Sequence, residues 1–205
     1  MSTPTEIIDT SAVSGRQILI IILCLLFNMV DGFDITAMAI VAQSVGQELS
    51  LSAEKLGWIF SMALAGMMAG AMLLAPLSDV FGRRKMIISS LVLVGSSIVL
   101  TANATSLTGF MLLRFISGLG AGCLLATQAT LASEYSPERF RTLAVSAVTA
   151  GYPIGAMMTS VVAAYLIPEY GWRGMFWFGG VMTLLMACVA FFLIPESLKF
   201  LITKR

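Results

Sequence analysis

The sequence predicts an all-α integral membrane fold, with six transmembrane helices arranged as a three-plus-three inverted repeat. Three observations lead there. The 205 residues are 58% hydrophobic and only 11% charged, with a mean hydropathy of +0.94, whereas a soluble domain carries roughly 25% charged residues. Six segments approach the about 20 apolar residues that a spanning helix needs: residues 18–41, 56–78, 86–102, 107–133, 144–167 and 174–194. The third observation is an internal echo. Phe81-Gly82-Arg83-Arg84-Lys85-Met86 returns as Tyr170-Gly171-Trp172-Arg173-Gly174-Met175, each time between the second and third helix of a triplet. Three crossings are an odd number, so the second triplet runs in the opposite sense, as an inverted repeat requires.

Composition also excludes several classes. The net charge of +1 and the lack of a basic patch with interleaved aromatics argue against nucleic acid. The chain has no histidine, and Cys24, Cys123 and Cys188 lie in apolar runs. They read as small buried hydrophobes, and neither a disulfide framework nor a transition-metal site is expected. No cofactor is implied, and no nucleophile–base pair marks an enzyme. Arg16, the run from Ile18 and Ala37-Met38-Ala39 imitate a cleavable signal. Asp31 and Asp34 fall between that run and the supposed cleavage site, which a signal peptide does not tolerate.

In chain order, residues 1–16 read as a disordered cytoplasmic tail, 17–195 as the transmembrane bundle and 196–205 as the start of a central loop. The first segment holds Asn28-Met29-Val30-Asp31-Gly32-Phe33-Asp34. Asn28, Asp31 and Asp34 repeat every third residue and so share a helix face. A charge at the bilayer centre costs at least about 2.5–3.5 kcal/mol, so two acids there need a partner or a task. Both are read as part of a proton or substrate path.

Gly66 and Gly70 in the second segment, Gly118 and Gly122 in the fourth, and Gly151 and Gly155 in the fifth are each four apart. These are small-xxx-small faces, expected to bring helix backbones together. The short polar connections predict that consecutive helices are antiparallel neighbours. Pro153 removes a backbone donor within the fifth span and is expected to kink it.

Arg114 lies about two turns into the fourth segment, roughly 10 Å from the side where that helix starts. Asp31 stands about 20 Å from the opposite side. In a hydrocarbon core about 30 Å thick the two heights nearly coincide. Arg114 is therefore expected to pair with Asp31 or Asp34, or to hold an anionic substrate group. Gln128, close to four turns later, shares its face, and Tyr152 and Asn28 are candidates for hydrogen bonds in the same cavity. The two acids are expected to titrate as a coupled unit. Lys and Arg give the orientation. With the N-terminus cytoplasmic, nine of the twelve fall on that side, two (Lys55 and Arg173) on the other, and Arg114 within a span. Both termini are then cytoplasmic.

Several of these stretches together resemble the major facilitator superfamily. Leu77-Ser78-Asp79-Val80-Phe81-Gly82-Arg83-Arg84-Lys85 resembles its signature loop, with Ala75 in place of the leading Gly and Val80 in place of a basic residue. Arg114-Phe115-Ile116-Ser117-Gly118-Leu119-Gly120-Ala121-Gly122 is similar to its fourth-helix motif. Ser136-Pro137-Glu138-Arg139-Phe140-Arg141 resembles the loop between helices four and five, and Pro195-Glu196-Ser197-Leu198-Lys199-Phe200-Leu201 the stretch after helix six. Asp31-Gly32-Phe33-Asp34 is most like the aromatic acid:proton symporter branch.

The resemblance implies half of a twelve-helix transporter of the cytoplasmic membrane, performing symport of protons with a small organic anion, an aromatic acid. Asp31 and Asp34 would couple protons and Arg114 would link them to the carboxylate. Asp79, Gly82, Arg83, Arg84 and Lys85, with Glu134 as a partner, would form a cytoplasmic gate. A sugar or other organic-solute porter, and a non-transporting scaffold, are the readings the residues leave open. The expected partners are substrate, protons, the bilayer, and a second six-helix half or a second copy of this chain.

Overall fold

The computed structural model of the protein describes residues 14–196, and every regular element among them is helical. Helix α1 spans Gly15–Glu48, α2 Ala53–Ala69, α3 Leu77–Phe81, α4 Arg83–Thr101, α5 Leu107–Glu134 and α6 Glu138–Leu193. At 56 residues, α6 would measure about 84 Å as one rod, far more than a bilayer core. It is two spans, 138–170 and 172–193, joined at Gly171, whose φ of 64° leaves the helical region. Pro153 lies in the first of these spans, yet Gly171 alone has non-helical dihedrals there. The described part of the chain is a six-span, multi-pass membrane bundle.

Local chemistry sets the ends. Ser14 caps α1 by accepting from Gln17 N while Gln17 accepts from Ser14 N, a reciprocal capping box. The helix thus begins two residues inside the stretch read as tail, whose residues 1–13 lie outside the described residues, as does 197–201 of the last motif. Polar Gln43 and Gln47 do not end α1; it runs on to Glu48, and Ser50 then turns the chain with φ 52°. After α2, residues Gly70–Leu74 form a π segment in which Ala75 N reaches back to Gly70 O. Pro76 follows directly, and its ring would clash with the carbonyl four residues earlier. The wider turn relieves that clash.

The glycine faces decide which helices meet. A Cβ on Gly32, Gly151 or Gly155 would strike the backbone carbonyl of Tyr152, Leu25 or Met29, so the first and fifth spans touch backbone to backbone. Gly66 and Gly70 face the carbonyls of Phe115 and Leu119, while Gly118 and Gly122 face those of Ala63 and Met67, locking the second span to the fourth. Gly120 seats against Ser90 and Val94, Gly180 against Val99, and Gly179 against Phe33. The pairs are therefore one–five, two–four, three–four, three–six and one–six. Exchanging the triplets maps this set onto itself. Of consecutive helices, only the third and fourth join by such a glycine contact within the membrane. Small residues rather than loop length choose the neighbours.

The echo carries the same symmetry into the backbone: Gly82 and Gly171 are the glycines with positive φ, 97° and 64°. Both open the third helix of their triplet, where a side chain would be strained.

Two apolar cores stack along the bundle. One holds Ile20, Cys24, Phe27, Ile87, Leu124, Leu131 and Val148; the other Phe33, Met38, Val41, Phe110, Trp172 and Phe176. Asn28 and Asp31 stand at the seam between Phe27 and Phe33. Cys24 and Cys123 are buried as expected, but Cys188 is exposed on the outward face of the sixth span. Gly155→Val should force the first and fifth spans apart and lower thermal stability in detergent by at least about 1–3 kcal/mol. Gly57→Ala, where a new Cβ meets nothing within 4 Å, should leave the unfolding midpoint unchanged or slightly raised.

Candidate functional site

Burial, charge and unmet hydrogen-bonding capacity coincide around Arg114. Its side chain is 2% exposed, deep in the fourth span. Nη1 donates to Asp34 Oδ1 and Oδ2 at 3.1 and 3.0 Å, closing an ion pair from the fourth span to the first. The guanidinium carbon lies 4.9 Å from the centre of the Phe176 ring, and the cation is attracted to that π face. Nε and Nη2 are buried with no partner among the described residues. Arg114 and Asp34 line a cavity of about 150 Å³ with Ile35, Ile59, Phe60 and Ser117, between the first, second and fourth spans.

Asp31 is 3% exposed, and its Oδ2 has no partner among the described residues. Sequence offered either acid to Arg114, and the structure gives it Asp34. Asn28 Nδ2 donates to Val148 O at 2.8 Å, while its Oδ1 is unpaired. Gln128 is 1% exposed between Leu124 and Leu131, and both of its amide atoms are orphaned. Tyr152 is half-buried, and its backbone carbonyl lies against Gly32. Asn28, Asp31, Gln128 and Tyr152 do not line the cavity that Arg114 and Asp34 face. The expected single cavity is thus resolved into a paired, cavity-facing Asp34–Arg114 and, outside that cavity, buried polar atoms of Asn28, Asp31 and Gln128 that find no partner among the described residues. Unsatisfied buried polar atoms cost about 1–3 kcal/mol each, and a stretch of them in one bundle calls for a task or bound water.

A second cluster occupies the end that carries Arg83, Arg84 and Lys85. Arg83 is buried and bridges Glu134 at 2.6 Å and Asp79 at 3.2 Å. Gly82 brings the chain against the Glu196 carboxylate, which accepts from Arg84 N at 3.2 Å, a carboxylate placed at a helix N-terminus. Arg84 Nη2 donates to Phe191 O at 2.6 Å, and the Tyr135 hydroxyl donates to Glu196 O at 2.8 Å. Burial, then the charges of Glu134 and Glu196, push the Tyr135 phenol up to about 12, so it stays a donor at any working pH. Lys85 is exposed. Glu134 was legible as a partner from sequence; Glu196 as part of this cluster was not. Glu134→Gln should destabilise the detergent-solubilised protein by about 3 kcal/mol, because Arg83 is left buried without its main partner. Asp79, 72% exposed, should cost less than about 1 kcal/mol as Asn. Chemical denaturation of the two variants distinguishes them.

The opposite end holds a third cluster. Glu48 accepts from Trp172 Nε1 at 2.5 Å and from Arg173 Nη1 at 2.6 Å. Trp172, Phe110 and Phe176 pack as three rings with centroids 5.8 to 5.9 Å apart. No sequence pattern marked Phe176.

Known proteins share this architecture. The xylose transporter XylE of E. coli superposes with TM-scores of 0.84 and 0.81 in two of its structures, at 22% identity; this chain is covered to 94% and 92%, and XylE to 48% and 50%. The 4-hydroxybenzoate transporter PcaK of Acinetobacter baylyi is 35% identical over 198 residues, 97% of this chain and 43% of its own length. The 3-(3-hydroxy-phenyl)propionate transporter of Escherichia coli K12 is 34% identical over 200 residues, 98% of this chain and 48% of its own. The chain therefore spans less than half the length of these curated relatives. The profile of the Major Facilitator Superfamily matches residues 21–202, and with the six-span inverted repeat and the buried Arg114–Asp34 pair in place, the chain belongs to that superfamily.

Proposed function

We propose that this chain is the N-terminal six-helix half of a proton-coupled symporter of the cytoplasmic membrane, taking up a small aromatic carboxylate, with both termini cytoplasmic. The observation that carries the reading is the half-used guanidinium of Arg114. One nitrogen is committed to Asp34, two are buried and unpartnered, and the group faces a cavity. A substrate carboxylate entering that cavity offers oxygens to the free donors and competes with Asp34 for the charge. Asp31, which has no cation of its own among the described residues, carries the proton. Asp34 answers to Arg114, so substrate and proton meet through one residue. Asn28, Gln128 and Tyr152 supply polar contacts along the route. The relatives named for 4-hydroxybenzoate and 3-(3-hydroxy-phenyl)propionate support an aromatic acid as cargo.

Asp79, Gly82, Arg83, Arg84, Lys85 and Glu134 act as the cytoplasmic gate, and a second six-helix half supplies the other wall of the site. Proteoliposomes carrying the complete transporter, loaded so that the outside is acidic, test this directly. Labelled 4-hydroxybenzoate should accumulate inside, benzoate should compete, xylose should not, and a protonophore should abolish the accumulation. Accumulation that ignores the protonophore would remove the proton from the mechanism, and competition by xylose alone would remove the carboxylate.

A further inference from the structure

Phe176 and Trp172 lie outside the sites described for substrate and proton, yet Phe176 lies against the cation at their centre and Trp172 packs on Phe176. From the surface inward, the contacts form an unbroken line. Glu48, near the end of α1, accepts from the Trp172 indole at 2.5 Å. The Trp172 ring meets Phe176 edge to face at 5.8 Å, one helical turn further along the sixth span. The Phe176 ring lies 4.9 Å below the Arg114 guanidinium, which binds Asp34 at 3.0 Å. Phe110, one turn before Arg114 on α5, closes the ring cluster from the side, 5.9 Å from Phe176. Phe110 and Phe176 are fully buried and Trp172 nearly so, whereas Glu48 is 45% exposed. The Arg173 guanidinium carbon lies 4.3 Å from the centre of the Trp172 ring, and Arg173 shares Glu48.

Two of the three guanidinium nitrogens of Arg114 have no hydrogen-bond partner among the described residues, so hydrogen bonds alone do not fix its plane. A π face beneath a planar cation does fix it, because the attraction falls away as the ring and the fork cease to overlap. We infer that Phe176 is a positioning residue for Arg114, held in register by Trp172, and that Glu48 anchors this aromatic stack to the end of the first span. The same span carries Asp34, so one helix supplies both the anchor and the counter-ion. The stack therefore sets the orientation in which the free nitrogens meet an incoming carboxylate. This inference rests on the proposed role of Arg114 in binding substrate.

The test compares uptake kinetics of the complete transporter in proteoliposomes for Phe176→Leu, Phe176→Tyr, Trp172→Phe, Glu48→Gln and Arg114→Lys. Phe176→Leu should raise KM for 4-hydroxybenzoate about tenfold, which is about 1.4 kcal/mol, with maximal rate and folded yield within twofold of the parent. Phe176→Tyr keeps the π face and should restore KM. Trp172→Phe keeps a ring but loses the N–H, and Glu48→Gln loses the charge. Each should raise KM by about threefold, and the double variant should be no worse than either single one, as for groups acting through one contact. Equal KM for the Leu and Tyr variants overturns the inference. So do independent, additive effects of Glu48→Gln and Trp172→Phe, which stand as the reading if Phe176→Leu fails to fold. Arg114→Lys separates the two levels: normal uptake there removes the proposed substrate role and this inference with it. A dead Arg114→Lys beside a normal Phe176→Leu removes the positioning role alone.

Discussion

Asp31→Asn is expected to abolish accumulation driven by a proton gradient while the protein folds and reaches the membrane normally. The expectation follows from what Asp31 lacks. It is 3% exposed, its Oδ2 has no partner, and Arg114 gives both of its hydrogen bonds to Asp34. Asn has nearly the same shape and is neutral, so the substitution removes no ion pair and leaves no cation stranded. It takes away only the site at which a proton can bind and leave. Solute exchange at equal pH on both sides should therefore survive, because the cavity and Arg114 are unaltered. Asp34→Asn should behave differently. It strands a buried guanidinium, at a cost of about 3 kcal/mol or more, so folded yield should fall along with transport. Measured side by side, gradient-driven uptake, exchange and thermal unfolding divide the two acids into a carrier and a counter-ion. Undiminished gradient-driven uptake by Asp31→Asn would end the coupling role.

Which acid pairs with Arg114 was not legible in the sequence, although the acids were. Three-residue spacing placed Asn28, Asp31 and Asp34 on one face, and helix lengths brought Arg114 to the same height. The choice between Asp31 and Asp34 depends on the rotation of two helices about their axes. Rotation is set by Gly32 and Gly155 seating on carbonyls of the opposite helix, a consequence of packing that no local pattern contains. The same limit explains the helix neighbours. Glycine spacing showed which faces would pack, but only the folded bundle shows which face meets which. The short connections therefore pointed to consecutive pairs, while the first span went to the fifth. Conversely, the echo around Gly82 and Gly171 was readable because positive φ is a backbone demand that the residue type itself reveals. Phe176 gave no signal at all: an apolar residue in an apolar span is the commonest thing a membrane helix contains, and its meaning lies in what stands above its ring.

Arg114→Lys is the second substitution expected to have a large effect, and it separates charge from geometry. Lysine keeps the positive charge, so an account based on charge pairing alone predicts retained binding. The arrangement around Arg114 uses more than charge. One nitrogen serves Asp34, two others are buried with no partner among the described residues, and the guanidinium carbon lies 4.9 Å from the centre of the Phe176 ring. An ammonium is a compact point charge without a fork or a stacking face. It can hold Asp34 or a substrate carboxylate, but not both in fixed relative orientation. Losing two charge-assisted hydrogen bonds, each about 1.5–3 kcal/mol, predicts a fall in the specificity constant of at least about 100-fold. Stability should suffer less, since the Asp34 charge keeps a cation nearby. The comparison that decides the point is affinity for a carboxylate against affinity for its uncharged amide analogue. The parent should prefer the carboxylate strongly, and the Lys variant should lose most of that preference while remaining folded. If the variant keeps it, charge alone reads the substrate, and the planar fork of Arg114 serves only to hold the first helix to the fourth.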